Sequence, residues 1–227
     1  MESWVEPQAD FVCKAPMKHA IFTLAALGLA GPAFAGTATQ PTTVYELFTS
    51  QGCSSCPPAN AEIDKLSTKD DVLALSYGVT YWDYLGWKDT FARPEFTKRQ
   101  RDYVRALGAR NAYTPQVVLN GASHNSRARK LGAPGEIGQD LAITETGGRL
   151  QATGSGKAIL LAYTPGRQDV PVKRGENGGR TVSVTNVVTD MMEVELPYSF
   201  KPEADLAYAL LQHGEDAAIT SAAAWTP

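Results

Sequence analysis

Two residues carry the most specific chemistry in the chain: Cys53 and Cys56, separated by Ser54 and Ser55. A thiolate, not a thiol, attacks disulfides, and an ordinary cysteine is mostly protonated near neutral pH. A reactive cysteine therefore needs a setting that favours its anion. The first turn of a helix is one, because its unpaired backbone N–H groups and its dipole attract negative charge. The expectation is that Cys53 stands at that start as the exposed nucleophile. Cys56, one turn into the helix, is then the shielded resolving thiol. Ser54 and Ser55 add hydroxyls within reach of the Cys53 sulfur. The competing reading is a structural disulfide, common outside the cytosol. Closing so short a loop removes little entropy from the unfolded chain, which favours redox chemistry.

The elements that must position this pair are legible around it. Val44-Tyr45-Glu46-Leu47-Phe48-Thr49 has the β-branched and aromatic content of a strand, and Gln51-Gly52 breaks it. On that strand Leu47 faces the cysteines and Glu46 points away, so Glu46 is not assigned as a proton acceptor. Pro57 and Pro58 fit a helix only in its first turn, and Ala59, Ile63 and Leu66 follow at helical spacing. Val72 to Val79 reads as a second strand and Pro94 to Leu107 as a helix stopped by Gly108. Gln116 to Leu119 reads as a third strand after Thr114-Pro115. This alternation predicts an α/β layer over residues 43–150, after a flexible linker at 36–42. Within it the polar, Gly-rich stretch from 122 admits one helix, Pro134 to Thr146. Residues 151–227 read as β-rich: Ala158 to Tyr163, Val170 to Lys173, Arg180 to Glu195 and Leu206 to Gln212. No spacer long enough to free this region is present, so it is expected to pack on the α/β domain.

Other constellations carry weaker signals. Tyr81-Trp82-Asp83-Tyr84-Leu85-Gly86-Trp87 follows the end of a strand, where α/β sheets open their ligand crevices. It reads as a platform for a partner, with Asp83 a nearby proton acceptor, or as loop packing. Lys98, Arg99, Arg101 and Arg105 read as a solvated helix face, with Phe96, Tyr103, Val104 and Leu107 inward. Arg174-Gly-Glu-Asn-Gly-Gly-Arg180 reads mainly as turn chemistry between strands, with a polar loop that reaches the cysteine site as the alternative. Thr153-Gly154-Ser155-Gly156-Lys157-Ala158 fails the phosphate-loop pattern at both ends. His124 and His213 match no zinc-finger spacing with the cysteine pair.

A strand, then Cys53-Ser-Ser-Cys56 opening a helix, then Thr114-Pro115 opening a strand, resembles the thioredoxin superfamily. That resemblance implies a thioredoxin-like N-terminal domain, a cis Thr114-Pro115 bond beside the cysteines, and a Thr114 backbone edge for partner chains. More closely, Glu46 to Pro58, Tyr81 to Asp89 and Tyr113 to Gln116 resemble the secreted bacterial family filed as domain of unknown function 1223. Arg174-Gly175-Glu176-Asn177 and Asn186-Val187-Val188 extend the likeness into the C-terminal half. Gly78 and Thr80 depart from it, standing where many relatives carry polar or ionisable residues.

Met17-Lys18-His19, the apolar run Ala20 to Ala30 and the Ala-x-Ala ending at Ala35 are the parts of a secretory signal peptide. Residues 1–16 then read as a misassigned upstream start, residues 17–35 as the signal, and Gly36 as the mature N-terminus. Cleavage would remove Cys13 and leave only the Cys53/Cys56 pair. A net charge of -3 gives no footprint for nucleic acid, and none is expected as a partner. The expected function is an exported, periplasmic or secreted thiol–disulfide oxidoreductase. It would use Cys53 and Cys56, with Thr114, Pro115, Trp82 and Asp83 at the partner site. No cofactor, no metal and no membrane insertion after signal cleavage are expected; the partners are protein or small-molecule thiols and disulfides. Two alternatives stand: a Cu(I)-binding protein using the two thiolates with His124 as a third ligand, and an interaction module with a structural disulfide.

Overall fold

The computed structural model describes residues 36–227. The signal segment, the upstream residues and Cys13 lie outside them. The strands are β1 (Thr37–Thr39), β2 (Thr43–Thr49), β3 (Val72–Gly78), β4 (Gln116–Leu119), β5 (Ser123–Asn125), β6 (Ala142–Thr146) and β7 (Arg149–Thr153). They continue with β8 (Lys157–Pro171), β9 (Thr181–Glu195), β10 (Tyr198–Phe200), β11 (Ala207–His213) and β12 (Ile219–Thr226). Among the described residues there are two α-helices, α1 (Pro57–Leu66) and α2 (Pro94–Ala106), and the aromatic run forms a short 3-10 helix at Thr80–Leu85. Among the described residues strand thus outweighs helix, 44% against 17%, and the fold is a β-rich member of the mixed α/β class.

One sheet of nine strands, ordered β1-β12-β11-β8-β9-β3-β2-β4-β5, runs through the molecule, and β10-β7-β6 form a second. β2 and β3 pair in parallel across α1, whereas β4 returns antiparallel on the other side of β2. β9 joins β3 in parallel at Ser76 and Val187. The C-terminal strands therefore extend the same sheet edge to edge. The three-stranded sheet covers part of it: Leu141, Ile143 and Leu150 pack with Leu160, Leu210 and Trp225 in one buried cluster.

The pleat of β2 splits the N-terminal core. Leu47 faces α1 with Ala59, Ile63 and Val117, while Val44 and Phe48 face α2 with Tyr77, Phe96 and Tyr103. Proline opens both helices, where its missing N–H leaves no helical bond unmade.

Four expectations need correction. Residues 36–42 contain β1, which pairs with β12 at the sheet edge, so this stretch is not a free linker. Pro134 to Thr146 is not a helix: it is irregular up to β6, because Gly135 and Gly138 interrupt it and Ile143 alternates into the second core. The stretches 158–163 and 170–173 do not form two strands: β8 runs from Lys157 to Pro171 and bends through register shifts instead of breaking. Arg99 leaves the solvated face of α2 and is buried, because Glu46 lies beneath it.

Candidate functional site

The cysteine pair sits in the turn between β2 and α1. Cys53 and Cys56 form a disulfide. α1 begins one turn later than expected: Cys56 is its N-cap and Pro57 its first residue, so Cys53 precedes the helix. The turn is built by backbone bonds, with Cys53 N–H donating to the Ser50 carbonyl at 3.1 Å and Cys56 N–H to the Cys53 carbonyl at 3.2 Å. Both cysteines are fully buried while Ser54 and Ser55 are exposed, which corrects the expectation of an exposed Cys53.

What covers the pair comes from far along the chain. Asn177, in the loop between β8 and β9, is wholly buried, and its Nδ2 donates to the carbonyls of Gln51 and Cys53 at 2.9 Å each. Next to it, Glu176 Oε2 accepts from Ser54 N–H at 3.0 Å and from Ser54 Oγ at 2.8 Å. These two bonds hold the Glu176 carboxyl below its usual range. The Arg174–Arg180 segment is thus more than a turn: it clamps the cysteine loop. A second brace is Asp89, whose carboxylate accepts from Gln51 N–H at 2.7 Å and from Phe91 N–H at 2.8 Å. Burial pushes the Asp89 carboxyl up, against these bonds and that of Ser50. The Gln51 side chain closes the brace, its Oε1 accepting from Trp87 Nε1 at 2.9 Å.

The opposite flank is formed by the proline segment and the aromatic run. Thr114-Pro115 is cis. Ser55 Oγ lies 3.3 Å from Cys53 Sγ and 3.4 Å from the Thr114 carbonyl, so this segment lies against the disulfide. Trp82 Nε1 donates to Thr114 Oγ1 at 2.7 Å. Gly52 suits this close approach: a Cβ at that position would stand 3.2 Å from the Trp82 Cβ. Cys53, Cys56, Thr114, Pro115 and Trp82 are therefore brought together. Asp83 is not turned to the sulfurs by any hydrogen bond; its Oδ1 accepts from Asp89 N–H at 3.1 Å and so supports the brace.

Neither histidine joins the site. His124 Nδ1 is 2.7 Å from the Tyr113 hydroxyl, and His213 Nε2 is 3.2 Å from Arg99 Nη2. Among the described residues no group of three or more His, Cys, Asp or Glu is placed to hold a metal ion. Gly78 and Thr80 serve packing. A Cβ on Gly78 would stand 2.7 Å from the Ala92 nitrogen, and Thr80 N–H donates to Thr97 Oγ1 at 3.0 Å.

Asn177, Glu176 and Asp89 are the site residues that sequence reasoning left without a role. Their signal was present in the segments Arg174 to Asn177 and Tyr81 to Asp89, but the residues they would touch were not visible.

Fold and site together define a mixed α/β protein with a disulfide-closed Cys-x-x-Cys turn at a strand-to-helix junction. The sequence matches the model of a protein family of unknown function, DUF1223, over residues 44–220, and the chain belongs to that family. A crystal structure of a protein from Agrobacterium tumefaciens is similar, with a TM-score of 0.63 and 32% identity, covering 82% of this chain and 94% of that one. HBP35 of Porphyromonas gingivalis aligns with a TM-score of 0.44 and 13% identity, covering 81% of this chain and 74% of that one. Comparison with the curated proteins gives no match.

Proposed function

We propose that the chain is an exported thiol–disulfide oxidoreductase whose N-terminal half is thioredoxin-like. The observation that carries the reading is the meeting of the Cys53–Cys56 disulfide with the Thr114-Pro115 segment at the start of α1. In the reducing direction, the Cys53 thiolate attacks a partner disulfide and one partner sulfur leaves as thiolate. The Cys56 thiolate then attacks Cys53 Sγ, the disulfide closes and the second partner sulfur leaves. Two electrons pass from the pair to the partner, and the reverse sequence oxidises a partner dithiol. Trp82, Thr114 and Pro115 form the partner platform, and Asp83 acts behind it through the Asp89 brace.

The full burial of both cysteines favours a second reading, an interaction module with a structural disulfide. The reduction potential separates the two. A redox-active pair lies above about -300 mV, in the range of known exchange proteins, and a structural bridge lies below it. Export is part of the proposal, and N-terminal sequencing of the mature protein should begin at Gly36. Recovery of an intact Met1 in the cytosol would reject export.

A further inference from the structure

We propose that Glu176 sets the redox poise of the pair: its carboxylate occupies the Ser54 donors beside Cys53 and so biases the pair toward the disulfide. The inference deepens the oxidoreductase reading and takes its biological meaning from it.

A thiolate at Cys53 is stabilised by nearby N–H and O–H donors and destabilised by nearby negative charge. The donors here are few. Pro57 and Pro58 have no N–H, although they occupy the first helical positions, where such groups usually point at an anion. Ala59 N–H donates to the Cys56 carbonyl at 2.9 Å and Cys56 N–H to the Cys53 carbonyl at 3.2 Å. Ser54 N–H and Ser54 Oγ both serve Glu176 Oε2. From Ser54 to Ala59, only the Ser55 hydroxyl lies beside the sulfur, its Oγ 3.3 Å from Cys53 Sγ, and it is shared with the Thr114 carbonyl at 3.4 Å.

Glu176 adds a charge to this shortage. Its two bonds from Ser54 lower its carboxyl, so it is ionised at neutral pH, bonded to the residue that follows Cys53. A second negative charge on the sulfur is then disfavoured, while the neutral disulfide is unaffected. The equilibrium moves away from the reduced, ionisable form. The carboxylate is held in place by its neighbours. Asn177 is locked by two backbone bonds, and Gly175 before the carboxylate takes a φ of +78°. A side chain at Gly175 would be strained in that conformation.

The test is the equilibrium of the full chain with reduced and oxidised dithiothreitol at pH 9, above the ordinary cysteine pKa of about 8.5, where thiolate stability enters the equilibrium. Dithiothreitol gives two electrons and two protons to the protein disulfide, yielding the protein dithiol and the cyclic oxidised reagent. Glu176→Gln keeps an acceptor for Ser54 and removes the charge; Glu176→Ala removes both. The expected result is an equilibrium constant for protein reduction raised about two- to fivefold by Glu176→Gln, as for an exposed charge. A larger rise is expected for Glu176→Ala, and a smaller Gln effect in 1 M salt, where the charge is screened in any case. Unchanged constants in both variants, or a shift toward the disulfide, would overturn the proposal. No client takes part in this equilibrium. A shift without any partner exchange would reject the oxidoreductase reading alone, and exchange without a shift would reject the role of Glu176 alone.

Discussion

Asn177 Nδ2 lies 2.9 Å from the carbonyl oxygen of Cys53, a residue 124 positions earlier in the chain. The same nitrogen reaches the Gln51 carbonyl, so one buried amide holds the backbone on both sides of Gly52, leading into the disulfide turn. Asn177→Ala leaves two carbonyls without their donor, which costs about 2–4 kcal/mol. The melting temperature should fall by about 5–10 °C. In the reduced variant Cys53 should alkylate faster than in the reduced parent. An unchanged melting temperature would remove Asn177 from its clamping role.

On the other face of β2, Arg99 Nε donates to Glu46 Oε1 at 2.7 Å, with the pair buried and the Tyr103 hydroxyl also on the carboxylate. Burial pushes Glu46 up, but Arg99 and Tyr103 outweigh it and hold the carboxyl below its usual range. Arg99→Met strands a buried carboxylate and should cost about 3–5 kcal/mol. Adding Glu46→Leu should restore much of that, since no unpaired charge remains. A double-mutant cycle in urea checks this, and a double variant no more stable than Arg99→Met would refute it.

His213 gives a pH dependence. Burial, with Arg99 adding to it, lowers its pKa from 6.5 to about 4. Its folded pKa is depressed, so the unfolded chain binds the proton first as pH falls. The stability it contributes is complete above about pH 6.5 and is lost progressively down to about pH 4, a swing of about 2–3 kcal/mol. Unfolding free energies between pH 7 and 4 should show this slope in the parent and a flatter one in His213→Gln. Identical slopes would contradict the assignment.

The N-terminal strand–helix–strand order and the two prolines were legible because each rests on local pattern: β-branched runs, helical spacing and proline's missing N–H. Leu47 and Glu46 were placed on the correct faces by the pleat alone. The burial of Arg99 was not legible, since a basic residue on a polar face gives no sign of a carboxylate on the facing strand. β1 was hidden for a similar reason: Thr37–Thr39 is a strand only because β12 pairs with it. At the site, the cysteines, Thr114, Pro115 and Trp82 were read from motifs. The roles of Asn177, Glu176 and Asp89 depend on long-range hydrogen bonds that sequence spacing does not encode.

Thiol trapping tests the central claim most directly. Cys56→Ser leaves Cys53 able to attack, with no second thiol to resolve the mixed disulfide, whereas Cys53→Ser removes the attacking group. Both variants are expressed as the full chain, free thiols are quenched in acid, and complexes are resolved without reductant. An oxidoreductase with Cys53 as nucleophile gives reductant-sensitive complexes with Cys56→Ser and almost none with Cys53→Ser. Equal trapping by the two variants, or none by either, would contradict that role and leave the Cys53–Cys56 bond a structural one.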